Sequence, residues 1–187
     1  MWKKILIGVS AVVVLLLVTV ALQPAEFRCE RSAKLPAPPS VVFAQVNNFQ
    51  NWRAWSPWEP VDPGLTRTYD GPSSGVGSTY SWIGNAEVGE GRMTIIESRP
   101  SELIRIRLEF FKPFAATNLT EFTFKPEGDE TLMTWTMTGT NGFCGKAMCM
   151  LMDMDQMVGS QFEQGLDNLK SVVAKAAASD SDSDEQP

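Results

Sequence analysis

The chain has no histidine, three cysteines and twenty-two carboxylates. Without an imidazole, Ser-His-Asp and Cys-His nucleophilic systems and the common zinc ligand sets are excluded, and neither a metal nor another cofactor is expected. Cys29, Cys144 and Cys149 form an odd set with no disulfide framework. Cys144 and Cys149 can pair only if the chain turns between them, and the preferred reading of all three is as small buried hydrophobes. Glu87, Glu90, Glu97, Asp153 and Asp155 are carboxylates that a dry pocket can convert to a general base by raising the pKa. No two of them have a spacing that demands this, so surface charge is the reading for most, and no catalytic residue is assigned. Gly89-Glu90-Gly91 reads as a tight turn into a strand, since no helix start with Lys-Ser or Lys-Thr follows it.

Aromatic and thioether side chains remain as the recognition chemistry. Trp52, Trp55 and Trp58 recur every third residue and would share one side of a helix. There they close the mouth of a pocket or pack short helices onto a sheet, the second reading being preferred for at least two of them. Tyr80 and Trp82 share a strand face, where their polar tips hold a ligand oxygen or find partners within the core. Met148, Met150, Met152, Met154 and Met157 are five of the nine methionines. Thioethers fill irregular core gaps and also line surfaces that accept varied apolar partners. Core filling is the preferred reading, although Met148, Met150 and Met152 spread around a helix, so some of them border a cavity, the membrane or solvent.

The elements that must position these groups follow from periodicity. Phe27 to Leu35 alternates as a first strand, ended by Pro36-Ala37-Pro38-Pro39. Ser40 is a candidate N-cap for a short helix over Val41 to Phe49, and a second short helix or turn follows at Asn51 to Trp55. From residue 66 the period is two, giving strands at Thr66–Tyr69, Gly77–Trp82, Gly89–Ser98, Leu103–Phe111, Ala116–Pro126 and Thr131–Thr138. Ile104, Ile106, Leu108 and Phe110 alternate with Arg105, Arg107 and Glu109, so one face is wet and the other covered. Phe122 and Phe124 behave likewise, as do Met133, Trp135 and Met137 against three threonines. From Ala147 to Val173 apolar residues fall three or four apart, which predicts one long amphipathic helix. A sheet curved around such a helix leaves a space where apolar ligands bind.

The ends of the chain set its location. Ile5 to Leu22 is an uncharged run of eighteen residues behind Lys3 and Lys4, about 27 Å as a helix and close to the ~30 Å bilayer core. A signal peptide would need only ~7–15 apolar residues and a small-residue cleavage pattern, so a retained anchor is the expectation, with the N-terminus inside. The expected organisation is a basic N-terminus (1–4), a transmembrane helix (5–22), a linker (23–26), one domain (27–178) and a disordered acidic tail (179–187). Of the net charge of −6, four units lie on Asp180, Asp182, Asp184 and Glu185, leaving −2 on the rest. With no basic surplus, nucleic acid is not an expected partner.

One stretch carries a family resemblance. Asn51-Trp52-Arg53-Ala54-Trp55-Ser56-Pro57-Trp58, Asp62-Pro63, Tyr69-Asp70-Gly71-Pro72, Gly75 to Trp82, Gly84-Asn85, Gly89 to Glu97 and Gly165 to Lys170 resemble the SRPBCC (START and birch-pollen-allergen) superfamily. Within it they are most similar to membrane-anchored bacterial proteins of its polyketide cyclase/dehydrase-like branch. The resemblance implies an α+β helix-grip fold, with a curved antiparallel sheet of about seven strands around a long C-terminal helix. It also implies a hydrophobic small molecule or lipid as ligand and a bacterial membrane protein, and it places Arg92 on a strand bordering the cavity. With the N-terminus inside, the expected location is the bacterial inner membrane with the domain on the periplasmic side. Trp55, Tyr80, Trp82, Arg92, Ile106, Phe122, Trp135, Met137 and Met154 are the candidate cavity residues. Three functions stay open: a carrier, if a cavity holds no acid; a cyclase or dehydratase, if it holds one; and a non-catalytic interaction module, if the interior is filled.

Overall fold

Alternation from residue 26 to residue 140 sends every second side chain to one side of a single sheet. The structure, a computed structural model, describes residues 2–151 and 154–183, with Cys144, Leu151, Met154 and 177–183 described by backbone alone. Its strands are β1 (Glu26–Leu35), β2 (Thr66–Asp70), β3 (Thr79–Ile83), β4 (Glu90–Arg99), β5 (Leu103–Lys112), β6 (Ala116–Glu127) and β7 (Glu130–Thr140). They form a seven-stranded sheet in the order β1-β7-β6-β5-β4-β3-β2, antiparallel throughout. Strands β2 to β7 follow one another as neighbours, and β1 closes the far edge on β7. Every expected strand is present, with ends displaced by at most two residues.

The helices depart further from expectation. α1 (Trp2–Leu22) is long and apolar enough to cross a membrane, as a signal sequence would also be, and Val20 is its only buried residue. α2 (Pro39–Val46) is capped by Pro38 instead of Ser40, which lies inside the helix. The proline ring at Pro39 supplies the φ of a first turn and pushes the preceding residue into extended backbone. The second short helix is a 3-10 helix (Phe49–Ala54), begun by the Asn48 side chain, which accepts a hydrogen bond from the Gln50 N–H at 2.9 Å. The expected long C-terminal helix is present as α4 (Met154–Ser183), and helix is also present at α3 (Phe143–Leu151), residues 152–153 lying outside the described residues. α4 runs on to Ser183, so the boundary drawn at residue 179 falls inside it.

The methionines divide by exposure. Met148, Met150 and Met157 are each about 40% exposed, so they are not core filling, whereas Met133 and Met137 on β7 are buried. The amphipathic face of a helix packed on the sheet begins only with α4, where Val158, Phe162, Leu166, Leu169 and Val173 turn inward. Cys29 is buried and free, while Cys149 is exposed, which overturns the buried reading for that residue. The side chains of Met152 and Met154 lie outside the described residues, as does that of Cys144.

The core sits between the inner face of the sheet and α4, with α2 and the 3-10 helix closing one side. Two glycines set how closely α4 approaches. A Cβ at Gly165 would lie 2.9 Å from the Trp135 ring and 3.1 Å from Pro57, and one at Gly159 would fall on the Arg31 guanidinium.

Candidate ligand-binding site

Trp135 is the hub of the inner face. Its indole lies parallel to the Phe162 ring of α4 at 4.1 Å and 8°. Phe122, next to it on β6, is 5.0 Å away, and Trp55 and Trp58 meet it edge-on at 5.8 Å. Trp52 completes the group, 4.6 Å from Trp55 and 5.8 Å from Phe122. Such pairs add about 0.5–1.5 kcal/mol each beyond the area they bury. Trp52 and Trp55 are buried and pack the 3-10 helix onto the sheet, while Trp58 lies at the margin.

Polar satisfaction in this cluster is uneven. The Trp52 indole N–H donates to the Val46 carbonyl at 2.9 Å, and that of Trp82 to Val88 at 3.3 Å. Trp55 Nε1 and Trp135 Nε1 have no acceptor, although their residues are only 1% and 2% exposed. A buried donor left unpaired costs about 1–3 kcal/mol. The only other described buried side-chain atom in this condition is the Tyr69 hydroxyl.

A second aromatic run extends away from the cluster along β2 and β3. Tyr69 stacks on Tyr80 at 5.3 Å, Tyr80 on Trp82 at 5.9 Å, and Trp82 meets Phe110 edge-on at 5.8 Å. Trp82 lies across Gly91, its partner on β4, where a Cβ would come within 2.5 Å of the ring. At the end of this run the Glu59 carboxylate accepts two hydrogen bonds from Arg67, and both side chains are less than a fifth exposed. Burial, and after it the Glu59 charge, pushes the Tyr80 hydroxyl up to about 12. Where the start of the 3-10 helix meets β2 and the β2–β3 loop there is a cavity of about 170 Å³, lined by Asn48, Phe49, Tyr69, Asp70 and Ser78 among others.

The structure therefore brings Trp55, Ile106, Phe122, Trp135 and Met137 together on the inner face with Tyr80 and Trp82, and all seven are buried. It does not bring Arg92 there. Arg92 is exposed on the outer face, 3.4 Å from Glu109 and over the Phe111 ring at 5.5 Å. Its neighbours Gly91 and Met93 take the inward positions, as strand alternation requires. The Met154 side chain lies outside the described residues. Among those residues no group of three Cys, Asp or Glu is placed to hold a metal ion.

Two polar features were not anticipated. Glu59–Arg67 is one, and the other is Arg31 at an inward position of β1. Its guanidinium donates to Asp155 at 3.0 Å and to Glu163 at 2.7 Å, tying the first turns of α4 to the sheet edge. The strict alternation Phe27, Cys29, Arg31, Ala33, Leu35 carried the signal for it. Burial pushes the Cys29 thiol up to about 11, and the nearby Asp155 adds to this, so no thiolate forms at neutral pH. The hydrogen bonds from Arg31 hold Asp155 below its ordinary 3.8. A carboxylate whose pKa is lower folded than unfolded stabilises the fold above the unfolded value and ceases to do so as pH falls through the folded one. The contribution of Asp155 should therefore be complete above about pH 4 and decline below it, and Asp155→Asn should flatten that decline. Urea midpoints against pH for the two chains test this, and identical acid limbs would refute it.

The geometry defines a helix-grip domain with an aromatic interior. A family model described as polyketide cyclase / dehydrase and lipid transport matches residues 26–174, and the chain belongs to that family. Among solved structures, protein CV1439 from Chromobacterium violaceum is 19% identical with a TM-score of 0.54, over 81% of this chain and 98% of that one. Mll3558 from Rhizobium loti is 19% identical with a TM-score of 0.57, over 76% and 96%. Ara h 8.0201 is 13% identical with a TM-score of 0.57, over 80% and 99%. These likenesses speak to the fold alone. Among curated proteins there is no match.

Proposed function

We propose that the domain binds an apolar small molecule or lipid beside a bilayer, with α1 as its anchor, and holds or passes on that ligand without turnover. Ligand occupies the region between the inner face and α4, displacing part of the aromatic packing and offering an oxygen to the indole N–H groups of Trp55 and Trp135. Those two donors, buried with no acceptor, are the observation that carries the reading. Burial of apolar ligand surface provides the affinity, roughly 25 cal/mol per Å², and the indoles fix orientation. Trp135, Phe122 and Phe162 pack this region, and the partly open cavity of about 170 Å³ beside the 3-10 helix is below the ~300 Å³ of common ligand sites, so binding requires side chains to move.

One observation favours a different reading, an interaction module that takes no ligand: Trp135, Phe162 and Phe122 already fill the grip. Mass spectrometry of the full chain, carried from its membrane into lipid nanodiscs without detergent, separates the two. An apolar adduct of fixed mass that survives ejection from the disc, and is lost in a folded Trp55→Phe variant, is the expected result. A chain that stays empty after exposure to a membrane lipid extract would leave the interaction module standing.

A further inference from the structure

Ten phenylalanines occur in the chain, and the three that are exposed all lie at one end of the sheet. Phe111 and Phe114 flank the tip of the β5–β6 hairpin, 49% and 63% exposed, and Phe143 begins α3, 49% exposed. Hairpin tips are ordinarily polar. This one reads Phe-Lys-Pro-Phe-Ala-Ala, exposed at every residue from 111 to 116. Register places Ile83 at the same end, since Ile83 pairs with Glu90 and Glu90 with Lys112. Ile83 is 58% exposed, and Met148 and Met150 of α3 add two more open apolar side chains.

The same end receives α1. Only Gln23, Pro24 and Ala25 separate Leu22 from Glu26, so the first residue of β1 lies within about 14 Å of the helix terminus even at full extension. Glu26 pairs with Thr140, three residues before α3 begins. α3 is joined to α1 directly, the Lys146 ammonium donating to the Ala21 carbonyl at 3.1 Å. Connectivity and contact thus hold this apolar rim beside the emerging helix.

We propose that the β5–β6 hairpin tip and α3 form a membrane-docking rim that inserts into the lipid interface beside α1 and holds the domain against the bilayer. The proposal rests on α1 being a membrane span. Insertion is apolar, not electrostatic: Lys112 is bound to Glu90 at 2.6 Å, Lys146 faces a carbonyl, and Glu26 and Glu87 lie at the same end. A zwitterionic bilayer is therefore enough.

The test places a photoactivated benzophenone amino acid at one position at a time in the full chain, held in phosphatidylcholine nanodiscs, and detects lipid adducts by mass. Position 114 tests the rim, position 13 within α1 tests the span, and position 76 is the control. Val76 is 58% exposed but lies in the β2–β3 loop at the opposite end of the sheet. Lipid adducts at 13 and 114, with none at 76, are expected. An adduct at 13 alone overturns the rim while leaving the span intact, and so does cross-linking of 114 to protein in place of lipid. No adduct at 13 removes the span and the rim with it.

Discussion

Trp135→Ala is expected to lower the stability of the domain by about 3–5 kcal/mol, the cost of deleting a large aromatic from a packed core. That is a large part of the ~5–15 kcal/mol available to a domain of this size. The expectation follows from position: the indole contacts β6 through Phe122, the 3-10 helix through Trp52 and Trp55, and α4 through Phe162. Among the described ring contacts no other side chain joins all three. Trp135→Phe should behave differently. It keeps most of the ring contact and removes an indole N–H that has no acceptor, so the lost area and the relieved donor offset each other, and the net change should stay within about 1 kcal/mol. If the indole instead serves a ligand, Trp135→Phe should lose the apolar adduct while its urea midpoint hardly moves. A Trp135→Phe variant as unstable as Trp135→Ala would show that the N–H finds a partner in the folded chain, and the case for the two free donors would weaken.

The strands were legible because their two faces differ in chemistry. Ile104, Ile106 and Leu108 against Arg105 and Arg107 admit one register and one inward face. The resemblance pointed to the right stretches, but several of their polar residues prove to act on the framework. The Asp62 carboxylate accepts from the Gly64 and Asn85 backbone N–H groups at 2.9 and 2.7 Å, and Asn168 donates to the Trp55 carbonyl at 3.1 Å. Gly165 makes room for Trp135 and Pro57. The helices were harder to read. α3 has an apolar stripe of its own, and periodicity does not say whether a stripe meets the core or lies open. Met148 and Met150 are open, an outcome that their spread around the helix allowed but did not decide. Arg92 was misplaced because the resemblance was allowed to override alternation, which sends it outward from Gly91 and Met93. Whether the grip is open or filled depends on ring orientations, and a pattern of residue types does not encode those.

Glu59→Gln is expected to cost about 3 kcal/mol, as for a largely buried ion pair that loses one partner. Arg67 and Glu59 are 18% and 16% exposed, so the guanidinium left behind gains little from water. It would keep the Leu65 carbonyl, at 2.8 Å. The same pair also leaves a spectroscopic mark. The chain has two tyrosines, and both are pushed above their ordinary 10 by burial and then by the Glu59 charge, Tyr80 to about 12. An ultraviolet titration of the folded chain should therefore show, at pH 10, less tyrosinate than the half-ionisation of two ordinary tyrosines, with Tyr80 still protonated. A group whose pKa is raised on folding contributes its full stability below the unfolded value and loses it as pH climbs through the folded one. Alkaline unfolding should thus begin above pH 10 and be well advanced by about 12. In Glu59→Gln the repulsion is gone but burial persists, so the Tyr80 titration should move down without returning to 10. Half-ionised tyrosine at pH 10 in the unaltered, still folded chain would refute this account of the run from Tyr69 to Trp82. An unchanged titration in Glu59→Gln would leave burial as the sole cause, with Glu59 acting on stability through Arg67 alone.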